Sequence, residues 1–362
     1  MTGDPSPRRG ALITCLGEAL VDFLPVEADG AVTFRPHPGG SPLNVAVAAA
    51  RLGARVALAG SLGDDLFGRF LRSRVAAEGV DDRWLGSVEA PTALAFVTLE
   101  DGEPAFAFYG EGTADTLLAV DGLPEAMVEE TAILHIGSIS LLRGSTPDAV
   151  EAAWRRLRGR ALLSLDPNVR PSLIVDEAAY LARLERLVAT ADLLKVSAAD
   201  LAWLAPDRDV EAAALDLLAR GPRLVAVTRG GDGAVAVREV EGRPVAIVMP
   251  AFPIRVADTV GAGDAFSAGL LTRLAELGAT SGDALAALPE AQLRDAIRVA
   301  LAAAALSCER PGADPPDRAR LDSFLAARAG AARATLSPNA VSDDEAGDLA
   351  RAGGPPAPKG VP

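Results

Sequence analysis

The chain of 362 residues contains few residues of the kinds that bind metals or form disulfides, with two cysteines and two histidines. Cys15 and Cys308 are far apart and belong to no Cys-x-x-Cys pair, which argues against a structural zinc site or a disulfide scaffold. Cys15 lies in an apolar run and is expected to be a buried thiol. His135 lies in the apolar segment 133–136, where we expect a buried histidine with a satisfied hydrogen bond rather than a metal ligand.

Positive charge and long apolar runs are also scarce. The formal net charge is −14, so the surface is expected to repel nucleic-acid backbones and anionic lipids. No apolar run is both long enough and sufficiently free of charge to span a bilayer. Residues 1–10 contain Asp4, Arg8 and Arg9 and no apolar core of a signal peptide. The sequence therefore predicts a cytoplasmic protein with neither a nucleic-acid nor a membrane partner.

Short apolar segments alternate with helical patterns along most of the chain, which is 49% hydrophobic and 23% charged. The strand-like segments are 12–20, 56–62, 133–136, 162–166, 193–196 and 224–228. The helical patterns are 44–52, 67–78, 147–157, 177–189 and 210–218. This alternation predicts a three-layer α/β/α fold, with a mainly parallel central sheet covered by helices on both faces.

Two extended regions interrupt the alternation. One covers about residues 19–38, and the other covers about residues 90–111, with Asp101-Gly102 as a hairpin signal. We expect these regions to form a small antiparallel sheet beside the main body, the alternative being that they form edge strands of the main sheet. The folded domain is expected to span residues 11–330. Residues 1–10 and the Ala/Pro/Gly/Asp-rich tail 331–362 are expected to be disordered.

The most informative motif is Gly261-Ala262-Gly263-Asp264, between a strand-like segment and a helical pattern. A Gly-x-Gly turn at a helix N-terminus points backbone amides into one concavity and makes an anion site suited to a phosphate. Asp264 falls in the first helical turn, where the helix dipole predicts a low pKa. Such a carboxylate can still accept a hydroxyl proton late in phosphoryl transfer. The alternative interpretation is a glycine turn whose Asp caps the helix.

Other nucleotide-binding motifs are missing. The chain has no Gly-x-x-x-x-Gly-Lys-Ser/Thr sequence, which excludes a P-loop of the usual kind. It also lacks Gly-x-Gly-x-x-Gly in an N-terminal strand–helix unit, which argues against a dinucleotide-dependent dehydrogenase. An ATP site on this acidic chain would have to be a local concentration of backbone amides, a few cations and metal.

A second motif stands near the N-terminus. Gly39-Gly40-Ser41-Pro42-Leu43-Asn44 leads into the Ala-rich stretch 45–53, and residues 60–68 follow as Gly-x-x-Gly-x-Asp-x-x-Gly. Together with residues 258–269, this pair resembles the two signatures of the ribokinase superfamily, the phosphofructokinase-B type of carbohydrate kinase. The resemblance covers about residues 12–325 and is closest to bacterial fructokinases. It implies a ribokinase-like fold with a β-sheet lid, and an ATP-dependent phosphotransferase with an alcohol group as acceptor.

The resemblance also implies the residues around the sugar. Asp264 corresponds to the catalytic base, with Gly261, Ala262 and Gly263 as the anion hole. The substrate-binding positions that it implies, besides Asp264, are Asp22, Gly39, Gly40, Asn44, Phe108, Asp115, Asn168 and Arg170.

Nucleotide and metal positions follow from the same resemblance. The cofactor-binding residues that it implies are Lys195, Ser197, Thr228, Gly230, Gly231, Gly233, Gly261 and Gly263. Asp200 corresponds to an acidic position that faces phosphates and Mg²⁺, although Glu is usual there. A site for a monovalent cation such as K⁺ is implied at Asp258, Val260, Ser307, Arg310 and Gly312. The implied cofactors are therefore ATP, Mg²⁺ and K⁺, and pairing of lids between subunits implies a homodimer.

The sequence defines the sugar substrate less narrowly than it defines the family. Asp166-Pro167-Asn168-Val169-Arg170 resembles the Asp-x-Asn-x-Arg motif of fructokinases and 2-keto-3-deoxygluconate kinases. Residues 108–115 resemble the fructokinase lid motif, with Gly110 where many fructokinases have Arg. Conversion of fructose to fructose 6-phosphate is the first expectation, and a kinase for 2-keto-3-deoxygluconate or another sugar is the alternative. A sugar-binding regulatory relative without activity is the non-enzymatic alternative.

Overall fold

The computed structural model of the chain describes residues 10–28, 31–100 and 103–335. In that part of the chain, the strands are β1 (Leu12–Leu16), β2 (Leu20–Ala28), β3 (Ala31–Gly39), β4 (Arg55–Gly63), β5 (Asp81–Val88), β6 (Leu94–Glu100), β7 (Glu103–Tyr109), β8 (Thr131–Gly137), β9 (Leu162–Asp166), β10 (Leu193–Ser197), β11 (Leu224–Thr228), β12 (Ala234–Val240) and β13 (Arg243–Met249). The helices are α1 (Ser41–Arg51), α2 (Leu66–Ala77), α3 (Glu125–Glu130), α4 (Thr146–Leu157), α5 (Glu177–Val188), α6 (Ala198–Leu204), α7 (Val210–Leu218), α8 (Ala262–Glu276), α9 (Gly282–Ala286), α10 (Glu290–Cys308) and α11 (Arg318–Thr335).

The central sheet has nine strands in the order β13-β12-β11-β10-β9-β8-β1-β4-β5. Strands β11, β10, β9, β8, β1, β4 and β5 run parallel, and β12 and β13 add an antiparallel hairpin at one edge. Every residue of β1 and β9 is buried, as expected for parallel strands covered on both faces. The predicted mainly parallel sheet is confirmed.

Alternate residues of the strands enter two different cores. Ile13 and Cys15 of β1 pack into a core formed with α1, α8 and α10, whereas Leu12 and Leu16 pack into a core formed with α4, α5 and α7. This division follows from the period of two along a strand, which sends successive side chains to opposite faces. The predicted three-layer arrangement is therefore confirmed, and Cys15 is buried as expected.

The small sheet is separate from the central one, as predicted, and has the order β3-β2-β6-β7. The pairs β2–β3 and β6–β7 are antiparallel, but β2 and β6 pair in parallel through residues 21–23 and 94–96. The expectation of an antiparallel sheet was thus wrong at its centre, because two hairpins from distant parts of the chain join side by side. The predicted turn Asp101-Gly102 lies outside the described residues.

The two faces of this small sheet, which we call the lid, differ in chemistry. Asp22 pairs with Ala95, which pairs with Phe108, so these three share a face. The opposite face carries an aromatic cluster, in which the rings of Phe23 and Phe96 stack with centroids 4.5 Å apart. The lid therefore offers one polar face with an acid, and one aromatic face that packs against α2.

Smaller predictions have mixed outcomes. His135 is buried and its Nδ1 lies 3.0 Å from Ser164 Oγ, so it is a satisfied core histidine whose pKa burial lowers to about 3. Helix α11 continues through an Ala-rich sequence to Thr335, past residue 330, and the domain boundary at residue 330 stays a prediction. The rest of the terminal segments predicted as disordered, residues 1–9 and 336–362, lies outside the described residues.

None of the described helices is long and apolar enough to cross a membrane.

Truncation of a side chain inside the sheet should cost far more stability than truncation on the surface. Leu163 of β9 is 1% exposed, whereas Leu181 of α5 is 38% exposed. We expect Leu163→Ala to lower the free energy of unfolding by about 2–5 kcal/mol, because it leaves a cavity, and Leu181→Ala by less than about 1 kcal/mol. Urea denaturation of both variants measures this difference. Equal losses would contradict the assignment of β9 to the doubly covered centre.

Candidate active site

Polar side chains gather where the parallel strands end, at the carboxyl edge of the central sheet. Asp166 ends β9, Ser197 ends β10 and Thr228 ends β11. The N-terminus of α8 and the N-terminus of α1 meet at this same edge. Ligands of open α/β sheets bind outside the carboxyl ends of the strands, so this edge is the candidate active site.

Asp264 occupies the third position of α8 and is held by the first turn of α1. Ser41 Oγ donates to Asp264 Oδ1 at 2.6 Å, and Asn44 Nδ2 donates to Oδ2 at 2.9 Å. Asp264 is only 8% exposed. Asn44, which the sequence placed beside the sugar, thus lies within hydrogen-bond distance of the predicted base. The two N-terminal turns form one unit despite a separation of more than two hundred residues.

The prediction of a low pKa for Asp264, made from the helix dipole, was wrong in direction. Burial raises the pKa of Asp264, and the hydrogen bonds from Ser41 and Asn44 oppose that rise, as do the charges of Lys195 and Arg170. Desolvation of a carboxylate outweighs these favourable contacts because the group is removed from water on almost every side. Asp264 is therefore a stronger base than its place in the first turn of a helix implies.

The predicted anion hole lies at the start of α8. Gly261 adopts a left-handed conformation, with φ of 74°, which a side chain would strain. Lys195 Nζ lies 3.0 Å from where a Cβ of Gly263 would be, so its ammonium group faces the backbone of this turn. Ala262 N–H donates to the Thr259 carbonyl at 3.2 Å. A helix N-terminus with a cation beside it is the local positive site that an acidic protein needs to bind a phosphate.

Lys195 is fixed by a buried ion pair. Its Nζ lies 2.8 Å from Asp166 Oδ2, and the two side chains are 5% and 1% exposed. Burial opposes ionisation of Lys195, but the charge of Asp166 raises its pKa, so the ammonium form persists. The sequence motif contained Asp166, but only the structure gives it the role of orienting Lys195.

The lid brings a second carboxylate to the site. A Cβ at Gly39 would overlap the carboxylate of Asp22, so glycine at the end of β3 permits the observed position of this acid. Burial and the nearby charge of Asp264 raise the pKa of Asp22 to about 6, although the charge of Arg170 opposes this rise. The structure thus brings together Asp22, Gly39, Gly40, Asn44 and Asp264, and their role at a sugar site stays a prediction.

The turn after β9 adds a cation near both acids. Asn168 has φ of 40°, in the left-handed region, and Arg170 Nη1 donates to the carbonyls of Asn168 and Val169, at 3.1 Å each. The guanidinium group is exposed, and its charge acts on the pKa of both Asp22 and Asp264. Arg170 is therefore available to a bound phosphate or sugar at the mouth of the site.

Phe108 and Asp115 line a small cleft below the lid. Asp115 is 6% exposed, and its Oδ1 has no hydrogen-bond partner within the described part of the chain. The guanidinium of Arg143 lies 5.9 Å from the ring of Phe108 and borders the same cleft. A Cβ at Gly110 would overlap the ring of Phe108, so glycine here permits the observed ring position.

The predicted nucleotide loop lies at the end of β11. Thr228 is followed by a 3₁₀ turn, Gly230–Asp232, and the chain then reverses into β12. A Cβ at Gly230 or at Gly231 would meet no atom within 4 Å, so this side of the turn is open. The turn is both a connection within the sheet and an open backbone surface at the carboxyl edge.

Ser197 and Asp200 have a structural role that the sequence analysis did not assign. They form a capping box at the start of α6, and Asp200 Oδ1 also accepts from Val169 N–H at 2.8 Å. Both carboxylate oxygens of Asp200 thus already accept protein hydrogen bonds. The described residues contain no group of three or more His, Cys, Asp or Glu arranged to hold a metal ion.

The positions implied for a monovalent cation are brought together by hydrogen bonds. Asp258 accepts from Val260 N–H at 3.0 Å and from Gly312 N–H at 2.7 Å. Arg310 N–H donates to the Ser307 carbonyl at 3.3 Å, and the buried Ser307 Oγ has no partner among the described residues. The loop before α8 and the loop after α10 therefore form one connected structure.

Sequence reasoning missed three residues at this edge. Glu18 is 1% exposed and contacts both the start of α1 and the turn after β8. Ser41 was part of the quoted motif but received no role. Arg143 had no sequence signal, whereas the position of Glu18, between Gly17 and Asp22 at a strand end, could have identified it.

Comparison with known proteins agrees with this geometry. The model of the pfkB family of carbohydrate kinases matches residues 11–320. A fructokinase of Rhizobium leguminosarum bv. trifolii is 36% identical over 285 residues, which are 78% of this chain and 86% of that protein.

Two solved structures are similar over most of the chain. The fructokinase of Xylella fastidiosa with bound ATP has a TM-score of 0.80 and 31% identity, covering 88% of this chain and 99% of that one. The fructokinase of Vibrio cholerae O395, with fructose, ADP and calcium bound, has a TM-score of 0.75 and 29% identity, covering 87% and 99%. The resemblance found in the two sequence motifs is confirmed: this chain belongs to the pfkB family of carbohydrate kinases, phosphotransferases with an alcohol group as acceptor.

Proposed function

We propose that this protein transfers the γ-phosphate of ATP to fructose and produces fructose 6-phosphate, with Asp264 as the catalytic base. The observation that carries the proposal is the buried carboxylate of Asp264 at the N-terminus of α8, within reach of the cations Lys195 and Arg170. A base beside a phosphate site is what phosphoryl transfer to a hydroxyl requires. The fructokinase names of the relatives, and the ATP and fructose bound in two of them, support the choice of substrates.

The sugar would bind between the lid and the central sheet. Asp22 accepts hydrogen bonds from sugar hydroxyls, and Gly39 and Gly40 allow the backbone to approach closely. Phe108 covers the apolar side of the ring, and Asp115 offers its unpartnered oxygen to a further hydroxyl. These contacts place the 6-hydroxyl beside Asp264, so that binding energy is used for orientation.

In the transfer step, the 6-hydroxyl oxygen forms a bond to the γ-phosphorus, and the bond from phosphorus to the β-phosphate oxygen breaks. ADP leaves with that electron pair. Asp264 accepts the hydroxyl proton and later releases it to solvent. The N-terminus of α8 at Gly261 and Gly263, with Lys195 and Arg170, stabilises the charge on the transferring group, whereas Ala262 N–H already donates to the Thr259 carbonyl.

Metal ions would assist at two places. When bound, Mg²⁺ neutralises charge on the phosphates. Since Asp200 already accepts protein hydrogen bonds, we propose that nucleotide oxygens and water supply most of its ligands. We propose K⁺ at the connected loops of Asp258 and Gly312, where the carbonyls and the unpartnered hydroxyl of Ser307 suit a large monovalent ion.

The aromatic face of the lid suggests how two copies could assemble. Tyr109 is 62% exposed and Phe34 is 39% exposed on this face. Pairing of two lids would cover these side chains, so we propose a homodimer formed through the lid. We also propose a cytoplasmic location, since ATP is the phosphate donor.

Asparagine at position 264 should abolish turnover without abolishing binding. We expect Asp264→Asn to lower kcat at least ~10³-fold, since the amide cannot accept the hydroxyl proton. Sugar affinity, measured by isothermal titration calorimetry, should change by less than about tenfold. Asp148→Asn, an exposed change on α4, serves as the control. Turnover of purified Asp264→Asn near the wild-type rate would disprove the role of Asp264.

The pH dependence of kcat/KM should report the ionisation of Asp22. Because the pKa of Asp22 is raised to about 6, its carboxylate is present above pH 6 and is lost as the pH falls below that value. We expect kcat/KM for fructose to fall about tenfold per pH unit below pH 6. Asp22→Asn should raise KM at every pH. The only remaining fall in kcat/KM at low pH should then be the one that protonation of Asp264 causes. An unchanged KM in this variant would exclude Asp22 from the sugar site.

A panel of sugars tests the substrate directly. ADP release is measured with Mg²⁺ and K⁺ present, for fructose, ribose, 2-keto-3-deoxygluconate and adenosine. We expect fructose to have the highest kcat/KM, because a carboxylate sugar directed to Arg143 would meet the Asp115 carboxylate, with its unpartnered Oδ1, in the same cleft. If only another sugar is turned over, the assignment as a sugar kinase stands and the assignment of fructose as its substrate is disproved. A lack of turnover with every sugar would favour a sugar-binding regulatory relative.

A further inference from the structure

One contact of the base is not explained by sugar or nucleotide binding. Ser41 is the first residue of α1, is 8% exposed, and donates from Oγ to Asp264 Oδ1 at 2.6 Å. The other oxygen, Oδ2, accepts from Asn44. Each carboxylate oxygen therefore has one fixed donor from α1, and the remaining lone pairs are left for the substrate hydroxyl.

Ser41 is itself held by a buried carboxylate. Its backbone N–H donates to Glu18 Oε1 at 3.1 Å. The other oxygen of Glu18, Oε2, accepts from Ser140 N–H at 3.1 Å and from the hydroxyl of Ser140. Glu18 N–H donates to Ser140 Oγ at 2.8 Å. Glu18 thus joins the end of β1, the start of α1 and the turn after β8.

The carboxyl group of Glu18 joins two backbone segments. Ser41 N–H donates to one of its oxygens and Ser140 N–H donates to the other. The Ser140 hydroxyl at Oε2 can donate to a carboxylate or accept from a protonated carboxyl group. Glu18 is 1% exposed, so no surface role accounts for it. A buried carboxyl group that accepts a hydrogen bond from the first N–H of a helix and another from a second element fixes the position of that helix.

We propose that Ser41 is a positioning residue for the base Asp264, and that Glu18 holds Ser41 in place by anchoring the first turn of α1 to the turn after β8. This inference rests on the proposed function, because it takes Asp264 to be the base. Ser41 contacts the base and Glu18 acts through Ser41.

The contact also affects the ionisation of Asp264. A hydrogen bond donated to the carboxylate favours its charged form and so opposes the rise in pKa that burial causes. The charged groups that face Asp264 are Lys195, Arg170, Asp22 and Asp166. Those that face Glu18 are Asp115 and the serines of its network, and burial raises the pKa of Glu18 to about 7.

Ser41→Ala is the direct test, read by the titration of Asp264 itself. Carbon-13 NMR of the protein with labelled aspartate carboxyls follows the titration, and the signal of Asp264 is the one that Asp264→Asn removes. We expect Ser41→Ala to raise the pKa of Asp264 by about one unit and to move the acid limb of kcat upward equally. Ser41→Thr, which keeps the hydroxyl, should restore the wild-type limb. The control is Ser73→Ala, on the exposed side of α2.

Glu18→Gln tests the anchor. The amide of glutamine presents N–H donors to the donors of Ser140, so the first turn of α1 should shift. We expect kcat to fall about 10–100-fold, with KM for ATP unchanged and the same upward shift in the titration of Asp264. Glu151→Gln on α4, which removes a carboxylate paired with Arg183, is the control. If Glu18→Gln does not fold, as judged by thermal denaturation, Ser140→Ala removes one donor and should produce a smaller shift in the same direction.

The outcomes separate the two levels of the proposal. An unchanged titration of Asp264 in Ser41→Ala would overturn this inference even if Asp264→Asn is inactive. If the wild-type protein phosphorylates no sugar, the proposed function fails, but the titration of Asp264 still decides whether Ser41 and Glu18 control its carboxylate. An upward shift in Ser41→Ala and Glu18→Gln, with none in the controls, supports the inference.

Discussion

The carboxylate of Asp264 is buried between the N-terminal turns of two helices, and the rest of the site depends on how that burial is made tolerable. A carboxylate removed from water is costly unless donors and positive charge replace the solvent. Here the donors come from α1, through Ser41 and Asn44, and positive charge comes from Lys195 and Arg170. Two helix N-termini that point at one place supply a further favourable field. The same arrangement gives an acidic protein a local positive site and gives Asp264 a raised pKa.

Lys195 can remain charged in this buried position because the carboxylate of Asp166 balances its positive charge. Asp166, at the end of the neighbouring strand, holds the ammonium group 2.8 Å away in a fully covered position. An exposed lysine would reach the phosphate only by losing side-chain freedom. A lysine already fixed against a buried acid has lost that freedom during folding. The central sheet therefore contributes directly to the electrostatics of the site, in addition to supporting it.

The sequence predicted the parallel sheet, the separate lid and the base, because each has a local pattern. Continuous apolar segments indicate strands covered on both faces, and Gly-x-Gly-Asp before a helix indicates an anion site. The sequence did not predict the raised pKa of Asp264, because that shift comes from burial, and the burial depends on α1, whose Ser41 lies 223 residues away along the chain. Nor could it predict Arg143, whose neighbours are set by the way the lid meets the turn after β8. The parallel pairing at the centre of the lid was not predicted for the same reason, since it joins two hairpins that are distant in sequence.

A single residue, Gly40, separates the lid from the helix that contacts Asp264. Strand β3 ends at Gly39 and α1 begins at Ser41. With so short a connection, the lid cannot change its tilt without transmitting a force to the first turn of α1. A change in the tilt of the lid would therefore also move Ser41 and Asn44, the two donors to Asp264. The position of the small sheet and the geometry of this carboxylate are mechanically coupled through one glycine.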